Sequence, residues 1–184
     1  KVDDLVAISE DLKGTASVGM GHTRWATHGI PSDRNSHPHV SNNGKIALVH
    51  NGIIENYDTI KKMLTEKGFT FQSETDTEVL VNLIQHFMDL DVNLDFPEAV
   101  RFALNEVYGA YAITVMHEDF PGLLVVARLG SPLAIGLGNK EYFIASDASP
   151  FVEFTKEAIY LEEGHMATIS LENGVDIRTI VDNS

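Results

Sequence analysis

Five of the eight histidines lie in one short stretch, where imidazoles could bind a metal, move protons or contact an anion. They are His22, His28, His37, His39 and His50. His37 and His39, on either side of Pro38, are the candidate metal ligands. No HExxH motif or acidic cluster accompanies them, and their spacing matches no zinc pattern. We therefore expect neither a metal ion nor a cofactor, and we favour a substrate site.

Arg24 and Asp76 are a second pair of candidates, because opposite charges suit the two ends of a free amino acid. A guanidinium offers a planar fork of donors to a carboxylate, and a carboxylate can receive an ammonium group. Asp76 also has a structural alternative. It comes near the start of a predicted helix, where an acid stabilises the helix dipole by about 0.3–1 kcal/mol. The residue types alone favour that alternative.

Asn51-Gly52 supports two interpretations as well. An Asn-Gly pair between apolar runs is the strongest short indication of a hairpin turn. An Asn amide beside a glycine N–H is also a suitable pair of donors for an oxyanion. We expect the chain after Gly52 to become helical rather than continue as a strand, which weakens the hairpin interpretation slightly. The residues themselves leave both interpretations open.

Helices in the middle of the chain and strands around them must position these residues. A weak helical pattern covers residues 2–12, residues 18–25 are predicted as a strand running into a loop, and 29–44 as a long polar loop. A strand at 46–49 precedes three predicted helices, which begin near Tyr57, Thr75 and Asp95. Strand candidates follow at 110–116, 123–127, 133–137, 142–145, 158–161 and 166–171. This order predicts an α+β domain with layered sheets and helices.

The predicted helices have recognisable ends. Gly68 is a plausible stop for the first helix. Thr75 with Glu78, and Asp95 with Glu98, have the spacing of a capping box at the start of the second and third helices.

Composition excludes several classes of protein. The net charge of −14 opposes binding to phosphate backbones, so we expect no nucleic-acid partner. The chain has no cysteine, which excludes disulfides and thiolate metal sites. Its longest apolar run, at 123–127, is too short to span a membrane, and no basic, hydrophobic leader opens the chain. We therefore expect one domain in the cytoplasm with no membrane partner.

Four segments resemble the class II glutamine amidotransferases in order and spacing. They are His22-Thr23-Arg24-Trp25-Ala26-Thr27-His28-Gly29, Asn35-x-His37-Pro38-His39, His50-Asn51-Gly52-Ile53-Ile54-Glu55-Asn56 and Ser73-Glu74-Thr75-Asp76-Thr77-Glu78. Shorter matches extend the resemblance over almost the whole chain: Gly109-Ala110-Tyr111, Arg128-x-Gly130-Ser131-Pro132-Leu133, Phe143-Ile144-Ala145-Ser146-Asp147 and Leu161-Glu162-Glu163-Gly164. The sequences of these segments are most similar to those of the family members that transfer glutamine nitrogen to fructose 6-phosphate.

The resemblance implies an N-terminal-nucleophile hydrolase fold, a four-layer sandwich of helices, sheet, sheet and helices, here without its N-terminal part. It also implies a pocket for L-glutamine. Arg24 would bind the α-carboxylate and Asp76 the α-ammonium, while Thr27 and His28 line the same pocket. Trp25 would help to gate the passage of ammonia towards a second active site.

The resemblance further implies how the glutamine amide is cleaved. The Asn51 side chain and the Gly52 N–H would form the oxyanion hole, and residues 24–32 a lid. The family nucleophile is an N-terminal cysteine whose α-amine acts as the base. Because this chain contains no cysteine, we expect Lys1–Ser184 to be an interior piece that cannot cleave glutamine by the family mechanism.

The same resemblance sets the expected domain and partners. Residues 1–184 would be one incomplete type 2 amidotransferase domain, and the sugar isomerase domains that bind fructose 6-phosphate would follow it. The parent protein is expected to be a homo-oligomer. One alternative is a catalytically dead amidotransferase-like module for binding or regulation, which the missing cysteine favours if these 184 residues are the natural chain. Another is a metal-dependent hydrolase built on the histidine-rich loop.

Overall fold

The computed structural model describes residues 16–24 and 29–181. In chain order, its elements are a 3-10 helix Asp33–Asn35, β1 His39–Val40, β2 Ile46–Ile54, α1 Tyr57–Glu66, α2 Asp76–Leu90, α3 Phe96–Glu106, β3 Gly109–His117, β4 Leu124–Leu129, β5 Ala134–Leu137, β6 Tyr142–Ala145, β7 Ala158–Tyr160, β8 His165–Ser170 and β9 Gly174–Thr179. A central run of helices with strands on either side confirms the predicted α+β class.

A six-stranded antiparallel sheet forms the centre of the described structure. Its strands lie in the order β1-β2-β3-β4-β8-β9. The longest pairing joins β2 to β3, from Ile46 opposite His117 to Ile54 opposite Gly109. Since β2 lies inside the sheet, successive residues of this strand point alternately to its two covered faces.

The three helices cover one face of this sheet. α2 packs between α1 and α3 and also contacts β1 and β2. Its apolar stripe, which includes Val79, Leu80 and Leu83, is at most 1% exposed and shares one core with strand residues such as Leu48 and Ile113. Burying each such side chain contributes about 1.5–3 kcal/mol, so this core holds α2 firmly against β2.

The helix ends follow the predicted patterns only in part. α1 ends before Gly68, whose φ of +95° supplies the expected stop. Thr75 caps α2, as predicted, by accepting the Glu78 N–H at 3.3 Å. The Glu78 carboxylate does not complete the capping box, because it accepts the Ser73 N–H at 2.7 Å instead.

The second predicted capping box is wrong. Asp95 is the N-cap of α3 but makes no side-chain capping bond. Glu98 turns its carboxylate to Arg101, at 3.0 Å, and to Arg178, at 3.5 Å. These charge-assisted bonds are stronger than a bond to a neutral backbone N–H, and Pro97 already suits the first turn of the helix.

A three-stranded sheet in the order β6-β5-β7 packs against the other face of the large sheet. Leu133 and Ile135 share a second core with Val126, Ala167 and Ile169 of the large sheet. The described residues therefore form three layers, in the order helices, large sheet, small sheet. They match three of the four layers expected from the sequence.

All six strand candidates after Gly109 are confirmed, with shifts of one or two residues at their ends. β9 was not predicted, although Val175, Asp176, Ile177 and Arg178 alternate between apolar and charged residues. It forms a strand through its antiparallel pairing with β8, which runs from His165 opposite Thr179 to Ser170 opposite Gly174.

Two local predictions near the histidine-rich stretch are wrong. The described part of 18–25 forms no strand and pairs with none of the described strands. The expectation that the strand does not continue after Gly52 is also wrong, because β2 runs to Ile54 with Gly52 paired to Tyr111. Asn51-Gly52 therefore forms no hairpin turn, and the predicted helix begins at Tyr57. The helical pattern at 2–12 lies outside the described residues.

Among the described residues, no helix combines the length and the apolar character that crossing a membrane would require.

Candidate functional site

Gly52 sits in the interior of β2, where only glycine fits. Its φ of +136° is a backbone conformation that residues with side chains rarely adopt. A Cβ at this position would also collide with the carbonyl oxygen of Ala110 on β3. The close approach of the two strands therefore requires glycine here, independently of any role in binding.

The Asn51 side chain points to the inter-sheet face of β2 and is held at both ends. Its Oδ1 lies 2.7 Å from Nε2 of His22, and its Nδ2 donates to the Ser146 hydroxyl at 3.0 Å. Ser146 directly follows β6 in the small sheet. Asn51 itself is exposed. An amide donor is thus fixed at an open position between the two sheets.

Asp76 lies on the helix face of β2, as the first residue of α2. Its Oδ2 accepts the Ile54 N–H at 2.8 Å and lies 3.9 Å from Nδ1 of His50. Asp76 is only 2% exposed. Its position fits the structural alternative, because it complements the helix dipole and joins α2 to β2.

A closed set of hydrogen bonds links the helix face to the loop before β1. The His50 N–H donates to Nδ1 of His37 at 3.3 Å, so this nitrogen carries no hydrogen. Nε2 of His37 must then carry it, and it lies 3.3 Å from the Thr77 hydroxyl. The same hydroxyl lies 3.1 Å from Nδ1 of His50. Thr77 therefore bridges two imidazoles at the start of α2.

The two histidines of this loop carry no positive charge near pH 7, because burial disfavours the protonated imidazole. The pKa of His37 is lowered from 6.5 to about 3, mainly by burial and also by the neighbouring imidazoles of His22, His39 and His50 and by Arg24. Burial also lowers the pKa of His39, although the nearby carboxylate of Glu78 opposes this shift. Both imidazoles are therefore neutral near pH 7.

Arg24 joins the site through its backbone and its position. Its N–H donates to Nδ1 of His22 at 2.9 Å, and its φ of +46° is unusual for a residue with a side chain. Its Nη2 donates to the Gly29 carbonyl at 3.3 Å. The guanidinium is close enough to His37 and His39 to lower the pKa of each. Arg24 thus lies beside the histidine cluster.

A small cavity of about 90 Å³ lies beside Asn51, between the two sheets. His22 and Ser146 also line it. A larger cavity of about 420 Å³ shares the wall residues Val49 and Thr114 with it. The amide of Asn51 therefore faces a space that could admit a small polar group.

The structure brings four predicted site residues to one strand and its surroundings. Asn51 and Gly52 lie on β2, His22 links Arg24 to Asn51, and Asp76 contacts β2 through the Ile54 N–H. Asn51 and Asp76 approach β2 from opposite faces. The predicted pocket residues Trp25, Thr27 and His28 lie outside the described residues.

The sequence assigned no role to two residues that contact Asn51. His22 was noticed only as a member of the histidine cluster. Ser146 lies 95 positions from Asn51 in the chain, and its only indication was its place in the Phe143–Asp147 motif. Neither pattern says what the side chain touches.

The histidines form no metal site in the part of the chain that the structure describes. There, no three His, Cys, Asp or Glu side chains are grouped so that they could hold a metal ion. The two candidate ligands are engaged elsewhere: His37 bonds His50 and Thr77, and His39 bonds the Thr75 hydroxyl at 2.9 Å.

Comparison with known proteins identifies the family. The family described as "Glutamine amidotransferase domain" matches residues 9–176. The chain belongs to this glutamine amidotransferase family. The match includes every residue of the candidate site, so the family resemblance read from the sequence is confirmed.

Curated relatives in this family include two bacterial proteins, each named glutamine–fructose-6-phosphate aminotransferase (isomerizing). The one from Chlorobaculum tepidum is 51% identical over 172 residues, which cover 94% of this chain and 28% of the relative. The one from Bacteroides thetaiotaomicron is 52% identical over 161 residues, which cover 88% of this chain and 26% of the relative. The chain thus spans little more than a quarter of the length of these relatives.

Solved amidotransferases have the same fold. The glutamine phosphoribosylpyrophosphate amidotransferase of B. subtilis, in complex with ADP and GMP, is 31% identical, with a TM-score of 0.71 over 88% of this chain and 34% of that one. A glutamine aminotransferase class-II domain protein of Silicibacter pomeroyi is 18% identical, with a TM-score of 0.57. The match covers 80% of this chain and 72% of that one. These matches confirm the N-terminal-nucleophile hydrolase-like sandwich.

Proposed function

We propose that this chain is the glutamine-binding domain of a glutamine–fructose-6-phosphate aminotransferase, which hydrolyses L-glutamine and passes the ammonia to fructose 6-phosphate. The observation that carries the proposal is the Asn51-Gly52 pair within β2, of which Asn51 lines a cavity of about 90 Å³. The named relatives, about half identical to this chain, support the choice of acceptor. Residues 1–184 would form one amidotransferase domain of the longer protein.

In this proposal, the Asn51 amide and the Gly52 N–H stabilise the oxyanion that forms when the glutamine amide is attacked. Donors fixed in advance are most effective where charge develops in the transition state. Two contacts support this role for Asn51, because His22 and Ser146 already hold its side chain in one orientation.

Arg24 and Asp76 would bind the amino-acid end of glutamine. The planar guanidinium suits the α-carboxylate, and the Asp76 carboxylate suits the α-ammonium. Since Asp76 and Asn51 lie on opposite faces of β2, the ligand has to extend past the strand, with its amino group towards Asp76 and its amide towards Asn51. Thr27, His28 and Trp25 remain predicted members of this pocket.

The nucleophile has to come from outside these 184 residues, because they contain no cysteine. We therefore propose that the chain alone binds glutamine without cleaving it. The sugar acceptor would bind to other domains of the longer protein. Its homo-oligomeric state and its location in the cytoplasm stay predictions.

An isotope-transfer experiment tests the proposal. The full-length protein is incubated with fructose 6-phosphate and glutamine labelled with ¹⁵N at the side-chain amide. We expect the label in the amino group of an amino sugar phosphate, and no labelled ammonia when the 184-residue chain replaces the full-length protein. A label that stays in glutamine with the full-length protein, or ammonia released by the chain alone, would contradict the proposal.

A second candidate function is a binding or regulatory module that never hydrolyses glutamine. It would be favoured if the full-length protein, like these 184 residues, contained no cysteine nucleophile. The same experiment separates the two, because such a module would bind glutamine in the full-length protein and yet leave the ¹⁵N label in place.

A further inference from the structure

The orientation of the Asn51 amide is set by residues outside the proposed oxyanion hole. Rotation of an Asn side chain by half a turn exchanges its donor and its acceptor, so an oxyanion donor has to be held in one of two states. Here His22 contacts the Oδ1 end and Ser146 contacts the Nδ2 end. Both residues line the same small cavity as Asn51.

The tautomer of His22 decides which end of the Asn51 amide can bond to its Nε2. The Arg24 backbone N–H donates to Nδ1 of His22 at 2.9 Å, so Nδ1 carries no hydrogen in the neutral ring. The hydrogen is then on Nε2, which lies 2.7 Å from Asn51. An N–H group can bond there only to the amide oxygen. The Asn51 Nδ2 group is thereby turned away from His22.

The ring of His22 is itself held in place. It stacks on the His37 ring with 4.5 Å between centroids and an angle of 25° between planes. His37 is fixed by its bonds to the His50 N–H and to Thr77. The helix face of β2 therefore supports the ring that orients Asn51 on the other face.

We propose that His22 and Ser146 are positioning residues that lock the Asn51 amide with its Nδ2 group towards the cavity. The hydroxyl of Ser146 takes one hydrogen of Nδ2, and the second is available to the oxyanion. Because Arg24 provides the bond that sets the His22 tautomer, the same chain of contacts links the proposed carboxylate-binding residue to the oxyanion donor. This inference rests on the proposed function and extends it.

The positioning itself can be tested without any catalysis. Long-range ¹H–¹⁵N spectra of the imidazoles in the 184-residue chain should show His22 as the Nε2–H tautomer. Ser146→Ala should shift the Asn51 side-chain NH₂ resonances, whereas Ser149→Ala should not. Ser149 is the matched control, since it lies in the same loop and bonds Asp147 instead. An Nδ1–H tautomer, or an Asn51 NH₂ group indifferent to Ser146→Ala, would overturn the inference.

Kinetics of the full-length protein test the catalytic consequence. Loss of one neutral hydrogen bond should lower kcat for glutamine by about fivefold in Ser146→Ala, with little change in KM. His22→Asn, too short to reach Asn51, should lower kcat by about tenfold, whereas His22→Gln keeps a donor near the Nε2 position and should lose at most about threefold. Equal losses in His22→Asn and His22→Gln would contradict a positioning role.

A double-mutant cycle separates this inference from the proposed function. In an Asn51→Ala background, Ser146→Ala and His22→Asn should have almost no further effect on kcat, because the group that they position is gone. Fully additive losses would overturn the inference alone. Unchanged turnover in Asn51→Ala itself would instead overturn the oxyanion role, and with it the proposed function.

Discussion

Two neighbouring residues of β2, His50 and Asn51, show how differently its two faces are built. His50 is 4% exposed and lies under α2, whereas Asn51 is exposed between the sheets. His50 takes part in a closed network with Thr77 and His37. Asn51 faces a cavity. The alternation of side chains along one strand thus places the proposed oxyanion donor on one face and the buried network beside Asp76, the proposed ammonium-binding residue, on the other.

The buried polar groups on the helix face are either uncharged or hydrogen-bonded. His37 remains neutral because burial holds its pKa near 3, and Asp76 accepts the Ile54 N–H. A buried polar group without such partners would cost about 1–3 kcal/mol. The inter-sheet face can leave a donor open because water or a ligand reaches it. The comparison teaches that the polar residues with the most neighbours, those buried on the helix face, need not be the ones that react.

The largest effect should come from removing the donor on the open face. Asn51→Ala in the full-length protein is expected to lower glutamine turnover by about 10²–10³, the usual cost of losing one oxyanion donor. Its unfolding free energy should change little, because the side chain is exposed. Steady-state kinetics and denaturant unfolding measure the two quantities. A loss of less than tenfold would contradict the role.

A substitution at Gly52, in the backbone of β2, should destabilise the fold on both sides of the sheet. Gly52→Ala is expected to reduce the unfolding free energy by roughly 3 kcal/mol, because it adds backbone strain and a collision with Ala110. Gly44→Ala is the matched control: Gly44 also has a positive φ, +79°, but open space around it. Its cost should be about 1 kcal/mol. Equal costs in denaturant titrations would show that β2 and β3 do not require glycine at their contact.

A smaller effect, on KM for glutamine, should follow from replacing the guanidinium of Arg24 by an ammonium group. Arg24→Lys is expected to raise KM for glutamine about tenfold with kcat nearly unchanged, since an ammonium cannot reproduce bidentate binding of a carboxylate. Arg34→Lys, an exposed position on the 3-10 helix, serves as the control. An unchanged KM in Arg24→Lys would remove Arg24 from the proposed pocket.

The smallest effect at neutral pH concerns His37 on the helix face, whose contribution to the pH dependence of stability is confined to acidic pH. The folded-state pKa of His37 is about 3, below the ordinary 6.5, so the unfolded chain takes up a proton first as the pH falls. Stability from this residue is complete above pH 6.5 and decreases towards pH 3. In His37→Asn, the loss of unfolding free energy with falling pH should be shallower in this window, and the two curves should run parallel above pH 7. Equal slopes below pH 6.5 would contradict a neutral His37.

The sequence predicts elements well where local pattern and tertiary packing agree. α2 has both a cap at Thr75 and a complete apolar stripe, and it forms as expected. β2 does not end at Asn51-Gly52, because its pairing with β3 outweighs the turn preference of that dipeptide. β9 likewise pairs with its neighbour β8 along its whole length, from Gly174 to Thr179.

The candidate site was predictable as a set of residues but not as an arrangement. Residue chemistry singled out Arg24, Asp76 and Asn51, and the family resemblance gave them roles. Only the fold shows that Asp76 is buried against β2 on the face opposite Asn51. It also brings Ser146 to Asn51, a contact between distant strands that no local pattern encodes.

The most direct test of the division between the two faces is a titration of the 184-residue chain with L-glutamine, followed by side-chain NMR. Without a cysteine, the ligand should remain uncleaved during the measurement. The account predicts that the Asn51 NH₂ resonances shift and saturate while the His37 imidazole stays in its neutral tautomer. Saturating shifts elsewhere with none at Asn51 would contradict it.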